Sequence, residues 1–164
     1  NKGIMRAAVM IQMTWPGAPT LYYGDEAGLC GWTDPDNRRT YPWGFEDFEL
    51  IEYHRYLIDL HKKLPALRRG SLKQLLADRQ LIVYGRMSGE NKCAVIINNR
   101  GESRSVRVPV WELGITDEDA ITRMMLSDEK GYNAGRIDYR ADHGWLTLDV
   151  PAHSGVLLSS GALV

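Results

Sequence analysis

The 164-residue sequence has few cysteines and no long hydrophobic run. Its two cysteines, Cys30 and Cys93, do not stand in a CxxC spacing, which argues against thiol redox chemistry and a zinc site. We therefore expect two free thiols and a reducing, cytoplasmic location. No stretch approaches the roughly 18 consecutive apolar residues of a membrane-spanning helix.

The sequence also lacks an excess of either charge. Lys and Arg number 20 against 21 Asp and Glu, for a formal net charge of -1. This balance gives no general attraction to nucleic acid or to an anionic membrane, so neither partner is expected. The glycines are too scattered to form a phosphate-binding loop, and no cofactor is expected.

A metal site is not expected either. The spacing of Asp34 and Asp36 resembles the start of a calcium loop. An EF-hand would then require Gly at its sixth position and Glu at its twelfth, where this sequence has Arg39 and Phe45. An irregular calcium site stays open as an alternative.

Two segments have the pattern of α-helices. Residues 2–14 are apolar on most sides and end before Pro16 and Gly17, which predicts a largely buried helix. Residues 47–63 carry acidic side chains in the first turn and basic ones in the last, and Pro65 follows.

From Ser71 onward the apolar residues alternate with polar ones, which is typical of strands. Turn-forming residues separate the runs, and about seven short strands of this kind indicate an antiparallel β-sandwich. The predicted strands are residues 72–76, 81–86, 93–98, 106–110, 121–126, 145–150 and 155–158.

The segment from Pro16 to Trp43 is the most informative. Thr20 to Tyr23 are β-branched, aliphatic and aromatic, and they stand between Pro19 and Gly24, which predicts a short buried strand. A polar loop rich in Gly, Asp, Arg and Trp follows. Binding loops of this kind follow the strands of parallel α/β barrels.

This segment resembles the last barrel strand and following loop of the α-amylase family of glycoside hydrolases, in particular the neopullulanase and cyclomaltodextrinase type. The matching residues are PGAP at 16–19, LYYGDE at 21–26, DPDNRR at 34–39 and Trp43. The resemblance implies an α+β fragment. Residues 1–70 would be the C-terminal part of the (β/α)8 catalytic barrel, with its last strand, substrate loop and last helix, and residues 71–164 an antiparallel β-sandwich domain.

The resemblance implies a retaining hydrolase of α-glucosidic bonds in starch-like oligosaccharides, cyclodextrins or pullulan, with an α-glucan oligosaccharide as partner. Its aspartate nucleophile and glutamate acid/base would lie on earlier barrel strands. We therefore expect no catalytic residue in this chain, and no activity from it alone. Asp25 and Glu26 do not form a catalytic pair, because neighbours in an extended segment point to opposite faces.

Asp34 and Arg38 are the candidate substrate-binding residues. A carboxylate and a planar guanidinium together accept from and donate to vicinal sugar hydroxyls, and the resemblance implies this role for both. The alternative is an ion pair that only makes the loop rigid. Trp32, Tyr41 and Trp43 offer flat apolar faces to a sugar ring.

Other functions stay open at this stage. The β-sandwich could be a non-catalytic carbohydrate-binding module, or a structural module that covers barrel hydrophobics. We also expect self-association through the N-terminal barrel remnant, because an apolar strand with unpaired edges recruits other chains.

Overall fold

The computed structural model describes residues 1–89 and 91–161, which contain three α-helices and nine β-strands. The helices are α1 (Lys2–Thr14), α2 (Phe48–Lys63) and α3 (Pro65–Arg69). The strands are β1 (Ser71–Ala77), β2 (Leu81–Ser88), β3 (Asn91–Asn98), β4 (Arg104–Val108), β5 (Ile121–Ser127), β6 (Tyr132–Asn133), β7 (Ile137–Tyr139), β8 (Leu146–Val150) and β9 (Ser154–Ser160).

Both predicted helices are confirmed, and each begins at a side-chain cap. The Asn1 side chain accepts a hydrogen bond from the backbone N–H of Gly3 at 2.8 Å. At the start of α2, the Asp47 carboxylate accepts from Leu50 N–H at 3.1 Å. Each cap satisfies an N–H group that has no partner inside its helix.

Pro65 both follows one helix and begins another. The chain leaves α2 after Lys63, and Leu64 links it to α3, whose first residue is Pro65. Proline suits this first position because its missing N–H would have no partner there. The end of α2 is predicted from the sequence, whereas α3 is not.

The strands form one large antiparallel sheet and a small one. The large sheet has the order β1-β2-β3-β9-β5-β6, with β7 also paired to β5, and β4 pairs with β8 in the second sheet. The antiparallel β-domain is confirmed, although its two sheets are very unequal. The predicted strand over residues 106–110 stops at Val108, because Pro109 cannot donate to the ladder and a 3-10 helix follows. Strands β6 and β7 are not predicted.

The central strands of the large sheet are buried on both faces. Helices α1 and α2 cover one face, where Met10 and Leu57 share a cluster with Val95 and Leu157 of the central strands. The β4–β8 pair covers the other face in a second cluster. The proposed division at residue 70 stays a prediction. Residue 90 and residues 162–164 of its second part lie outside the described residues.

The predicted strand over residues 20–23 is wrong. Residues 18–22 have no regular secondary structure, and residues 23 and 24 form a turn. A parallel barrel strand is held by hydrogen bonds to a strand on each side, and no strand among the described residues pairs with this segment. Tyr22 and Tyr23 are consequently half-exposed rather than buried.

Both thiols are free, as predicted. Cys30 is exposed in the loop, and Cys93 is buried in β3, where burial raises the pKa of its thiol to about 12. Among the described residues, no helix has the length and apolar character required to cross a bilayer.

Candidate functional site

The loop between α1 and α2 carries the candidate site. Gly24 begins it with a left-handed backbone (φ 90°), and its carbonyl accepts from Leu29 N–H at 2.9 Å. A short 3-10 helix lies between these residues, and its Ala27 carbonyl accepts from the N–H of Asp47, the cap of α2, at 3.0 Å. The first turn of the loop is therefore anchored to the start of α2.

Asp34 and Arg38 form a two-contact ion pair, which is the arrangement of the rigid-loop alternative and is compatible with a binding role. Arg38 Nε lies 2.6 Å from Asp34 Oδ1, and Arg38 Nη2 donates to Asp34 Oδ2 at 3.2 Å. A cis peptide bond precedes Pro35, and the 3-10 helix Asp36–Arg38 brings the two side chains together.

The Asp34–Arg38 pair is open to solvent. The Asp34 side chain is 57% exposed and that of Arg38 is 68% exposed. Neither side chain has a hydrogen bond to any other described residue, which leaves carboxylate lone pairs and guanidinium N–H groups free. Such a pair can contact adjacent sugar hydroxyls, one as acceptor and one as donor.

A second Asp–Arg pair, which the sequence analysis does not identify, lies directly beside the first. Asp36 Oδ1 accepts from both Arg39 Nε and Arg39 Nη2, at 3.0 and 2.7 Å. These hydrogen bonds are the main cause that lowers the pKa of Asp36. The three-residue spacing of Asp36 and Arg39 is visible in the sequence and is compatible with an ion pair. The turn that brings the two side chains together is not evident from the sequence.

The predicted aromatic residues lie on the surface of the same loop. Trp32 is 81% exposed and Trp43 is 77% exposed. The Tyr41 and Trp43 ring centroids are 4.5 Å apart, with the rings tilted by 49°. Phe45 and Phe48 are also exposed, although the sequence analysis assigns them no role.

A cavity of about 500 Å³ lies beside the loop, on the side of α1. Tyr22, Tyr23, Asp25 and Asn37 line it together with Lys2 and Arg6 of α1. Its volume is in the range of small-molecule pockets. Asp34 and Arg38 are not among its lining residues, so the predicted binding pair lies outside this cavity.

Asp25 and Glu26 do not form a catalytic pair in this structure. They belong to a 3-10 helix rather than to the extended segment assumed above, and with about three residues per turn their side chains still diverge. One Glu26 carboxylate oxygen accepts from Gly24 N–H at 3.0 Å. Burial raises the pKa of Asp25. Among residues 1–89 and 91–161, no group of three or more His, Cys, Asp or Glu side chains is arranged to hold a metal ion.

Comparison with known proteins identifies relatives along nearly the whole chain. An amylopullulanase of Thermoanaerobacter thermohydrosulfuricus is 30% identical over 166 residues, which cover 95% of this chain and 11% of that protein. Neopullulanase 2 of Thermoactinomyces vulgaris is 40% identical over 118 residues, or 70% of this chain and 20% of that protein. A debranching enzyme from Nostoc punctiforme has a similar structure, with a TM-score of 0.74 and 30% identity over 99% of this chain and 31% of that one. No family model matches.

Over nearly its whole length, the chain is similar to a segment of these α-amylase-family enzymes. This confirms the resemblance and the fold class. The chain spans a tenth to a fifth of the length of the two relatives compared by sequence. The binding roles of Asp34 and Arg38 stay predictions.

Proposed function

We propose that this chain supplies a glucan-contacting loop and the C-terminal β-domain of a retaining hydrolase that acts on starch-like oligosaccharides, cyclodextrins or pullulan. The observation that carries the proposal is the exposed Asp34–Arg38 pair, which is fixed by two contacts and has no other side-chain partner among the described residues. The names of the relatives, amylopullulanase and neopullulanase, support the substrate class.

On this proposal the chain binds glucan but does not cleave it. Retaining glycosidases need two carboxyl groups about 5–5.5 Å apart across the scissile bond. Asp25 and Glu26 diverge from each other, and Asp34 is held by Arg38. Incubation with maltoheptaose should therefore release no reducing sugar, and measurable release would contradict this part of the proposal.

The binding part is tested by titrating maltoheptaose into the chain and into Asp34→Ala and Arg38→Ala. Each change removes one member of a charged hydrogen-bonding pair, and a loss of about 1.5–3 kcal/mol corresponds to an affinity at least tenfold weaker. Asp59→Ala is the matched control, because Asp59 forms an exposed i, i+4 pair with Lys63 on α2. Equal affinity in all four proteins would contradict the assignment of the site.

A second candidate is a carbohydrate-binding β-domain, favoured by one observation. Trp111 is exposed and lies over the backbone of Gly144. Trp145, in contrast, is half-buried, and the Arg107 guanidinium lies 4.4 Å from its ring centroid. If Trp111→Ala abolishes maltoheptaose binding and Arg38→Ala does not, the β-domain is the binding site.

We also propose that the chain self-associates through its N-terminal part. Trp32, Trp43, Phe45 and Phe48 are exposed on the loop and at the start of α2, where large apolar side chains favour contact with another chain. Light scattering at tens of micromolar should give a mass above that of one chain, and a strictly monomeric mass would contradict it. We also propose a reducing, cytoplasmic location, supported by the free Cys30 and Cys93 thiols.

A further inference from the structure

The loop contains two interleaved Asp–Arg pairs, and their surroundings differ. The outer pair, Asp34–Arg38, is exposed and has no other side-chain partner among the described residues. The inner pair, Asp36–Arg39, is bound to other parts of the loop. We propose that Asp36 and Arg39 are positioning residues that fix the orientation of the outer pair toward a bound glucan. This inference rests on the proposed function.

The Asp36 carboxylate connects the two sides of the segment that carries Asp34. One of its oxygens accepts both hydrogen bonds from Arg39, and the other accepts from the backbone N–H of Trp32 at 2.9 Å. Trp32 precedes Asp34 by two residues, and Arg39 directly follows Arg38. A single side chain therefore connects the backbone before Asp34 to the side chain of the residue that follows Arg38.

Arg39 extends this connection to the base of the loop. Its backbone carbonyl accepts a hydrogen bond from Tyr23 Oη at 2.9 Å. Tyr23 lies directly before Gly24, where the loop begins. The inner pair is thus joined to the anchored end of the loop rather than only to its own turn.

Close backbone packing supports the same arrangement. A Cβ atom added at Gly31 would lie 2.7 Å from the Asn37 Cα atom and 3.1 Å from the Asp36 carbonyl oxygen. The segment that enters the turn therefore lies against the segment that leaves it. Any change in the inner pair that separates these segments also moves Asp34 relative to Arg38.

The two pairs differ in the hydrogen-bonding capacity that they leave for a ligand. Asp36 uses both carboxylate oxygens inside the loop, and its side chain is 43% exposed against 57% for Asp34. A sugar hydroxyl would have to compete with these internal bonds at Asp36, whereas it finds free donors and acceptors at the outer pair. The inner pair therefore acts through the outer one.

The test combines maltoheptaose affinity with a double-mutant cycle, which measures whether two changes act independently. Asp36→Asn and Arg39→Gln should each weaken binding by roughly three- to tenfold, and the double variant should be no weaker than the worse single one. In an Arg38→Ala background, Asp36→Asn should cause no further loss. Asp59→Asn, which changes the exposed pair with Lys63, is the control and should bind normally.

A second measurement does not depend on the ligand. Because Asp36 accepts from Trp32 N–H, Asp36→Ala, which removes both acceptor oxygens, should accelerate hydrogen exchange at the Trp32 amide, while the thermal midpoint of the chain stays within a few degrees. Asp59→Ala should leave that amide unchanged. An unchanged Trp32 exchange rate in Asp36→Ala would overturn the inference.

The possible results separate this inference from the proposed function. If Arg38→Ala loses affinity and Asp36→Asn binds like the unmodified chain, the inference is wrong and the proposed function stands. If Asp36→Asn and Arg38→Ala weaken binding additively, Asp36 contacts the sugar directly and is not a positioning residue. If Arg38→Ala binds normally, the proposed site itself is wrong.

Discussion

One buried arginine joins two of the helices to the large sheet. Arg86 of β2 is almost fully buried, and its guanidinium donates to the carbonyl of Thr14 at 2.6 Å and to that of Gly70 at 2.9 Å. These carbonyls lie at the ends of α1 and α3, where backbone acceptors have no partner inside the helix. The positive charge also suits the negative end of each helix. One side chain thus fixes two helix ends on the sheet.

Gly85 of β2 shows how tightly the other face of the sheet is packed. A Cβ atom at this position would collide with the buried Leu113 side chain. Gly85→Ala should therefore lower the free energy of unfolding by about 1–3 kcal/mol, the usual cost of overpacking. Urea denaturation followed by circular dichroism measures this loss.

Gly101→Ala is the matched control for Gly85→Ala. A Cβ atom at Gly101 would meet only His153 Nε2, at the ordinary contact distance of 3.6 Å. We expect a change in unfolding free energy within about 0.5 kcal/mol for this surface position. Equal stability in both variants would contradict the packing that the structure gives to Gly85.

The outer and inner ion pairs of the loop differ in how far sequence predicts them. Asp34 and Arg38 are identified through the family resemblance, and simple charge complementarity then pairs them. Asp36 accepts from Trp32 N–H and from two nitrogens of Arg39. This pairing depends on the 3-10 turn and on the close approach of Gly31 to Asn37. Those features belong to the folded loop, so composition and spacing do not reveal them.

At the level of elements, the turn between β1 and β2 is held by one carboxylate. Asp78 accepts from the N–H groups of Gln80 and Leu81, each at 2.9 Å, and from Arg104 at 2.6 Å. The Gln80 hydrogen bond and then that of Arg104 are the largest causes that lower the pKa of Asp78 to about 2. The turn is therefore stabilised by the ionised form of Asp78.

This pKa predicts how the stability of the chain depends on pH. A carboxyl group whose pKa is lower in the folded state stabilises the fold above its unfolded pKa of about 3.9 and loses this effect as the pH falls toward 2. Asp78→Asn should therefore destabilise the chain clearly at pH 6, and the difference from the unmodified protein should shrink between pH 4 and pH 2. Urea denaturation at a series of pH values measures it.

Asp149→Asn serves as the control for the pH series. Asp149 is exposed on β8 and has no side-chain hydrogen bond or ion pair among the described residues. Its replacement should not change stability at pH 6. A destabilisation by Asp78→Asn that is independent of pH would show that the ionised carboxylate is not responsible.

Elements whose own residues determine them are the ones that sequence predicts well. The side-chain caps of α1 and α2 and the end charges of α2 are local, and so is the alternation of the longer strands. The segment at residues 20–23 has the composition of a strand, but a strand also requires a hydrogen-bonded neighbour, which no local pattern supplies. The short β6 and β7 exist because β5 offers them an edge, and their own sequence resembles a turn.

At the scale of the molecule, stability is distributed unevenly. Strands β3 and β9 lie at the centre of the large sheet and are buried on both faces, whereas residues 29–46 contain only one 3-10 turn and are mostly exposed. Native-state hydrogen exchange should therefore be slowest in β3 and β9 and fastest in residues 29–46. Comparable protection in the two regions would contradict this distribution.

The position of β9 determines the order in which the sheet can be completed. Residues 154–160 lie between β3 and β5, so neither strand has its full set of backbone partners until this late segment has left the ribosome. A nascent chain that stops before residue 154 holds β3 and β5 as the open edges of two separate half-sheets. Such edges pair readily with other chains. The nascent chain is therefore most prone to aggregation in the interval before β9 has been synthesised.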